Sequence, residues 1–302
     1  MGIESYDSLS GLMLYSFNMP IFFFVSGFLA YKAARPSASE FSRRVWQKFV
    51  YLVIPAVVFF SFQQLMGQSN PLELFINGAG GYWFTITLWE CFLLYYLITV
   101  IFGNNKLHDI AIIALSILGI AFLSVVGEYG PKLLDLNRLT KYFQFFAMGV
   151  LAMKYRTSYE KLMHNEPLKA VALIGFFALL FTVNNAIWPR PVFHLLRDIV
   201  LRYLGTFVVI SWFVNHTEAF NVDSRINRLI LDIGKKSLAI YLLQYFFIPD
   251  FNAYTTWLSG MDGFTVHVIS FAYTVVIVAV CYVFISLLSN SMLIKKFVLG
   301  QK

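Results

Sequence analysis

The sequence predicts an all-α polytopic membrane protein, a bundle of about nine transmembrane helices forming a single domain over residues 1–302. Three observations carry this. Of the 302 residues, 59% are hydrophobic, 18% aromatic and only 13% charged, whereas soluble domains carry roughly 25% charged residues. Apolar runs of the length that crosses the hydrocarbon core, about 20 residues in a helix, recur along the chain. Those runs are too long for barrel strands, so the spanning element is the helix, which satisfies its own backbone groups in lipid.

The expected spans cover residues 12–31, 49–66, 82–102, 109–126, 139–154, 169–187, 197–215, 236–256 and 264–288. The first contains "SFNMPIFFFVSGFLAYK", Ser16 to Lys32. Pro20 has no N–H to give to Ser16, so the helix should kink near Asn18 or leave a carbonyl for which Asn18 is a local partner. Ser26 lies two turns further on, lining a cavity or packing, and Gly27 permits close approach of a second helix. The next connection, "RPSASEFSRRVWQKF", reads as a short interfacial helix N-capped by Ser39. Its Phe41, Val45 and Phe49 make an apolar stripe, and Arg44 and Lys48 a cationic ridge.

In the third span Glu90 falls near mid-membrane, with Trp83 and Thr87 seven and three residues before it on one face. A carboxylate there is costly, which favours a functional role over a structural pair or a carboxyl held protonated by burial. Before the fifth span, "GEYGPKLLDLNRLTKYF" carries Arg138 and Lys141. The seventh opens on Arg197, Asp198 and Arg202. Asp198 and Arg202 have the spacing of an intrahelical ion pair, and Arg202 is deep enough to line an outward-facing cavity. The eighth begins at Lys235 and Lys236, with Ser237, Tyr241 and Gln244 following on one face.

The net charge of +7 sits in short loops and reports orientation rather than nucleic-acid binding. Cations concentrate in alternate loops: Lys32 to Lys48, Lys106, Lys154 to Lys169, Arg225 to Lys236, and Lys295 with Lys296. These loops should be cytoplasmic, as should the C-terminus. Nine spans then place Met1 outside, so either the short acidic N-tail crosses by itself or a tenth helix precedes it. The N-terminal residues lack the basic flank and cleavage site of a secretory signal. Cys91 and Cys281 fall within spans, where thiols behave as small apolar groups, and no disulfide framework, metal-ligand cluster, Walker loop or dinucleotide-binding glycine pattern is present.

"SFNMPIFFFVSGFLAYK", the basic segment leading to "VIPAVVFF" with Pro55, "GGYWFTITLWECFLLYY" from Gly80, "KYFQFFAMGVLAMKY" from Lys141 and "GKKSLAIYLLQ" from Gly234 occur in this order. Together they resemble the membrane-bound acyltransferase-3 family, integral-membrane O-acyltransferases of bacterial surface-glycan modification. The resemblance implies ten or more helices and transfer of an acyl group, usually acetyl from cytoplasmic acetyl-CoA, to a carbohydrate or glycolipid hydroxyl at the bacterial inner membrane. Acyl-CoA would be a substrate, with no bound cofactor, and nucleic acid is not a partner. The family's first helix carries a basic residue and the histidine thought central to transfer. Neither is found here, which implies a shortened chain of impaired activity. Asn18 stands where the family usually has His in "FHMP", and Gln244 where many relatives have His.

A base near neutral pKa assists acyl transfer, and asparagine and glutamine cannot supply one. The histidines, His108, His164, His194, His216 and His267, lie in or near loops or at span ends. Glu90 is the catalytic candidate, to orient the family histidine that is not found here or to bind the acceptor hydroxyl. Arg43, Arg44, Lys48 and Lys235 are the candidates for acyl-CoA phosphates, although membrane-flanking cations also set topology and attract anionic lipid. Asn18, Ser26, Trp83, Arg202, Tyr241 and Gln244 are the candidates for acceptor or cavity lining. Two other classes stay open: a non-catalytic acyl- or glycan-binding membrane protein, and a secondary transporter, whose mark would be paired broken helices in two halves.

Overall fold

The computed structural model describes residues 9–67, 80–126, 136–182, 191–221, 223–248 and 260–300; they are helical, with no strand among them. In order they form α1 (Leu9–Ala30), α2 (Ala38–Lys48), α3 (Ile54–Gly67), α4 (Trp83–Phe102), α5 (Lys106–Val126), α6 (Leu136–Lys154), α7 (Arg156–Met163), α8 (Glu166–Phe181), α9 (Pro191–Asn215), α10 (Thr217–Asn221), α11 (Arg225–Leu243), α12 (Gly263–Leu288) and α13 (Met292–Phe297). Two compact units emerge. The first comprises residues 1–5, 46–89 and 222–302, the second residues 6–45 and 90–221.

Five helical stretches are long and apolar enough to cross a membrane: Leu9–Ala30, Ala38–Gln64, Gly80–Phe102, Lys106–Val125 and Gly263–Leu288. A sixth arises if α7 and α8, bent by 69°, act as one span. The other expected spans are helical but shorter or more charged. Helix α8 has 16 residues, and residues 183–187 of its expected span lie outside the described ones. Helices α6 and α9 carry Arg138 and Lys141, and Arg197, Asp198 and Arg202.

The expected span 236–256 is corrected. Helix α11 starts at Arg225, capped by Ser224, whose hydroxyl accepts from Asn227 N at 3.0 Å, and ends at Leu243. Gln244–Phe246 form a 3₁₀ turn, and residues 249–256 lie outside the described ones. The charged stretch that reads as a loop is the polar side of an amphipathic helix, on which Lys236 reaches Asp232 at 2.9 Å across one turn.

The connection between the first two spans is likewise more regular than expected. Helix α2 runs through a π-helical turn at Phe49–Val53 into α3 without a break. The wider turn precedes Pro55, which cannot donate to the residue four back, so the ladder shifts register there. The helix is capped by Ser37 and not Ser39: Ser37 Oγ accepts from Glu40 N at 3.2 Å, and Glu40 Oε2 accepts from Ser37 N at 3.2 Å. This reciprocal pair is a capping box. Ser37→Ala is expected to cost about 1 kcal/mol of stability, and Ser39→Ala less, a comparison that thermal unfolding of the two variants decides.

The second unit is organised around α1 and α6. Helix α1 continues from Leu9 to Ala30 through Pro20, with Ser16 Oγ donating to Met13 O at 2.6 Å. A Cβ on Gly27 would collide with the Phe146 carbonyl oxygen, and one on Gly149 with the Phe24 carbonyl oxygen. Each helix thus lays backbone against backbone at a glycine, as the sequence suggested for Gly27. In lipid, where apolar burial between helices gains little, such close approach is what gives packing its strength. Gly205 of α9 completes the contact: its Cβ would lie 2.9 Å from the Phe176 ring and 3.3 Å from Phe17 Cβ.

In the first unit, Ala56, Phe60, Tyr82, Leu242, Cys281, Ile285 and Leu299 share one buried core. Gly300, at φ +62°, fits against the Tyr51 carbonyl where a side chain would clash. Asp262 caps α12 by accepting from Thr265 N at 3.0 Å and Thr265 Oγ1 at 2.6 Å, and these bonds hold its carboxyl below the usual carboxylate range.

Candidate functional site

The best-defined polar assembly of the second unit gathers at the C-terminal end of α4, where the last helical carbonyls lack intrahelical partners. Gly103, at φ +71°, ends the helix and donates to Thr99 O at 2.9 Å. Arg35 caps the same end, its Nε donating to Val100 O at 2.9 Å and its Nη2 to Val100 O and, at 3.3 Å, to Ile101 O. A cation there also meets the negative end of the helix dipole. Asn104 Nδ2 donates to Tyr31 Oη at 3.0 Å and Ala33 O at 3.2 Å, so the segments after α1 and after α4 are clasped together.

Beside this clasp, Asp109 accepts from Lys154 Nζ at 2.6 Å and from Tyr155 Oη at 2.6 Å. The bond to Asp109 raises the Tyr155 phenol above its ordinary pKa. His108 is fully buried, 3.2 Å from Thr99 Oγ1 and 3.4 Å from Asp109 Oδ1. Sequence reasoning placed His108 near a loop and did not single out Asp109. The available signal was two ionisable residues at the mouth of a long apolar run.

Because Arg35 is anchored on Val100, α2 starts beside the end of α4. On α2, Arg43 and Arg44 lie 4.0 and 3.8 Å from the Glu40 carboxylate; the Arg43 side chain is 68% exposed and that of Arg44 17%. Arg44 is within electrostatic reach of the Tyr96 phenol. Glu90, 7% exposed, lies on α4 ten residues before Val100, about 15 Å along the helix. On the same helix Trp83 is half-buried and Thr87 buried. Trp83 and Thr87 belong to the first unit and Glu90 to the second, α4 being shared.

The expected Asp198–Arg202 pair is not formed. Asp198 instead pairs with Arg197 at 2.7 Å. Arg202 turns to α6, with Nη1 3.4 Å from Tyr142 Oη and its guanidinium 5.8 Å from that ring's centroid. The Tyr142 ring is itself stacked on Phe23 at 4.8 Å. Next to it Tyr203 Oη donates to Gln144 Oε1 at 2.8 Å.

Residues 2–286 match the family profile described as Acyltransferase domain. The chain belongs to the acyltransferase-3 family. The resemblance read from five motifs is borne out at family level. Over 151 residues this acyltransferase-3 chain is 28% identical to a curated protein, Nodulation protein NolL of Mesorhizobium japonicum, covering 46% of the chain and 36% of that protein. The chain thus matches about a third of the length of this curated relative. No solved structure matches it.

Within this acyltransferase-3 fold the remaining candidates are distributed as follows. In the second unit Asn18 is exposed and Ser26 half-buried. In the first unit Tyr241 and Tyr245 both donate to the Gly81 carbonyl, Tyr245 at 2.8 Å, and a Cβ on Gly81 would lie 2.5 Å from the Tyr245 ring. Tyr241 is thereby fixed at the start of α4. Gln244 is half-buried, and its backbone carbonyl accepts from Phe247 N at 2.9 Å and Ile248 N at 3.0 Å. Lys48 is half-buried and Lys235 exposed. Lys236 is engaged with Asp232 and lies 3.8 Å from the Tyr282 ring centroid. Hydrogen bonds from Tyr282 and Lys236 keep the Asp232 carboxyl below its ordinary pKa. His194 and His267 are exposed.

Proposed function

We propose that the chain is a membrane O-acyltransferase, moving an acyl group, in the first instance acetyl, from acyl-CoA to a hydroxyl of a cell-surface or exported carbohydrate. It would sit in the bacterial inner membrane with about nine spans and a cytoplasmic C-terminus. The observation that carries this reading, beyond family membership, is the arrangement inside the second unit. A cationic helix begins at one end of α4, and a buried carboxylate lies about 15 Å further along the same helix.

Arg43 and Arg44, with Lys48 one turn on, would hold the phosphates of CoA from the cytoplasmic face. The extended pantetheine arm has the reach to bring the thioester from there to the depth of Glu90. Glu90 then accepts a hydrogen bond from the acceptor hydroxyl and takes its proton as the oxygen attacks the thioester carbonyl. The new C–O bond forms, the C–S bond breaks, and the CoA thiolate leaves and is reprotonated. No cofactor is retained.

The test is transfer of radiolabelled acetyl from acetyl-CoA to exported glycan by membranes carrying the chain, beside the same chain extended by its genomic upstream codons. Arg43→Gln with Arg44→Gln is expected to raise KM for acetyl-CoA about tenfold or more, since hydrogen bonds to charged groups contribute about 1.5–3 kcal/mol each. An unchanged KM would remove those arginines from the donor site. Acetyl-CoA binding without transfer in either form, given a cognate glycan, would favour the non-catalytic reading, for which the Asn18 and Gln244 replacements speak.

A further inference from the structure

We infer that Arg202, beside the Tyr142 ring and with Thr206 one turn further along α9, is a recognition site for a phosphate group carried by the carbohydrate acceptor, an inference that rests on the acceptor reading above. Arg202 lies eleven residues from the start of the 25-residue helix α9, about 16 Å along it and so near mid-length. A guanidinium cation within a membrane bundle is costly unless an anion stands beside it. The nearest carboxylate in sequence, Asp198, is held by Arg197 at 2.7 Å.

Among the described residues, Arg202 has one polar side-chain contact, the 3.4 Å approach of Nη1 to Tyr142 Oη. The Tyr142 ring, 5.8 Å from the guanidinium, sets the position of the cation while leaving most of its N–H fork available. Thr206 is fully buried, and its hydroxyl has no hydrogen-bond partner among the described residues. Gln144 and Tyr203 bond to each other at 2.8 Å and do not compete for the fork. A planar fork of donors with a hydroxyl donor one turn along the same helix matches the oxygens of a phosphate.

The helix face decides the source of that phosphate. Phe193, Leu196 and Val200 form an exposed apolar stripe along α9. Helical periodicity places Arg202 and Thr206 on the opposite side, together with the buried Leu201 and Gly205. Bulk lipid meets the stripe, so the anion at Arg202 is brought by a ligand that enters the unit.

The test uses the purified chain in phosphatidylcholine nanodiscs, read by thermal unfolding, with glucose 1-phosphate added in one arm and phosphatidic acid incorporated in the other. Glucose 1-phosphate is expected to raise the unfolding midpoint saturably, glucose is not, and Arg202→Gln should raise the half-saturating concentration about tenfold or more, given the strength of charge-assisted phosphate contacts. Without ligand, Arg202→Met is expected to unfold at a higher temperature than the parent, because it removes a charge that no carboxylate among the described residues pairs with. A stabilisation confined to phosphatidic acid and lost in Arg202→Gln would overturn the acceptor assignment in favour of a bilayer headgroup. No dependence on Arg202 in either arm would overturn the site. If Arg202→Gln leaves both acetyl transfer and phosphate binding unaltered, this inference fails alone. Phosphate binding at Arg202 with no acetyl transfer, either by the chain or by its form extended with the genomic upstream codons, sinks the acyltransferase reading instead.

Discussion

Valine at Gly27 or at Gly149 is expected to abolish the native packing of the second unit. At both positions even the first side-chain carbon would overlap a carbonyl oxygen of the facing helix, Phe146 on α6 or Phe24 on α1. Backbone atoms cannot rotate away as a flexible side chain can, so α1 and α6 must separate. That separation would also pull apart the aromatic contact between the same two helices, Phe23 on Tyr142 at 4.8 Å. Overpacking a well-filled core commonly costs about 1–3 kcal/mol, and a backbone-to-backbone collision that cannot relax should exceed that range. Size-exclusion profiles in detergent, followed through a temperature ramp, give the measurement: both variants should lose the monodisperse peak. Gly234→Ala is the control. Nothing lies within 4 Å of a Cβ at that position in α11, and alanine there should stabilise by about 0.5–1 kcal/mol. A stable, monodisperse Gly27→Val protein would show that the glycine contact does not hold the unit together.

Glu90→Gln is expected to lower the rate of acetyl transfer by about 10²–10⁴-fold, the usual contribution of a positioned general base. The amide keeps the shape of the carboxyl and removes only its capacity to take a proton. KM for acetyl-CoA should therefore stay near the parent value, because Glu90 is assigned to the acceptor proton and not to the CoA phosphates. The split between kcat and KM separates this outcome from misfolding, which would reduce the amount of active protein without regard to substrate. Full activity in Glu90→Gln would move the base elsewhere, first to the exposed His194 and His267.

Much of the candidate site was legible from local spacing alone. Trp83, Thr87 and Glu90 share a face because residues three, four and seven apart always do so on a helix, and Arg44 and Lys48 form a ridge for the same reason. Local spacing failed where one residue had two possible partners. Asp198 could pair with Arg197 or Arg202, and the choice fell to Arg197 while the Tyr142 ring of α6 received Arg202. It failed again at Ser37 and Ser39, both able to cap, where the Glu40 carboxylate selects Ser37. At α11, a charged amphipathic helix resembles a loop to any reading based on mean apolarity, whereas the Ser224 cap sets its start and Lys236 pairs with Asp232 along it.

By itself, the sequence determined the solvent, the helical class, the family and the helix face that carries Glu90. These follow from composition and from contacts within a few residues, which are the same in any fold that buries the chain in lipid. Only the tertiary structure decided that Arg35 and Asn104 clasp the end of α4, that Asp109 is shared by Lys154 and Tyr155, and that Arg202 faces α6. Those contacts join residues 45 to 73 positions apart. Their energies depend on distances of a few ångströms between helices, and no one-dimensional pattern encodes that separation.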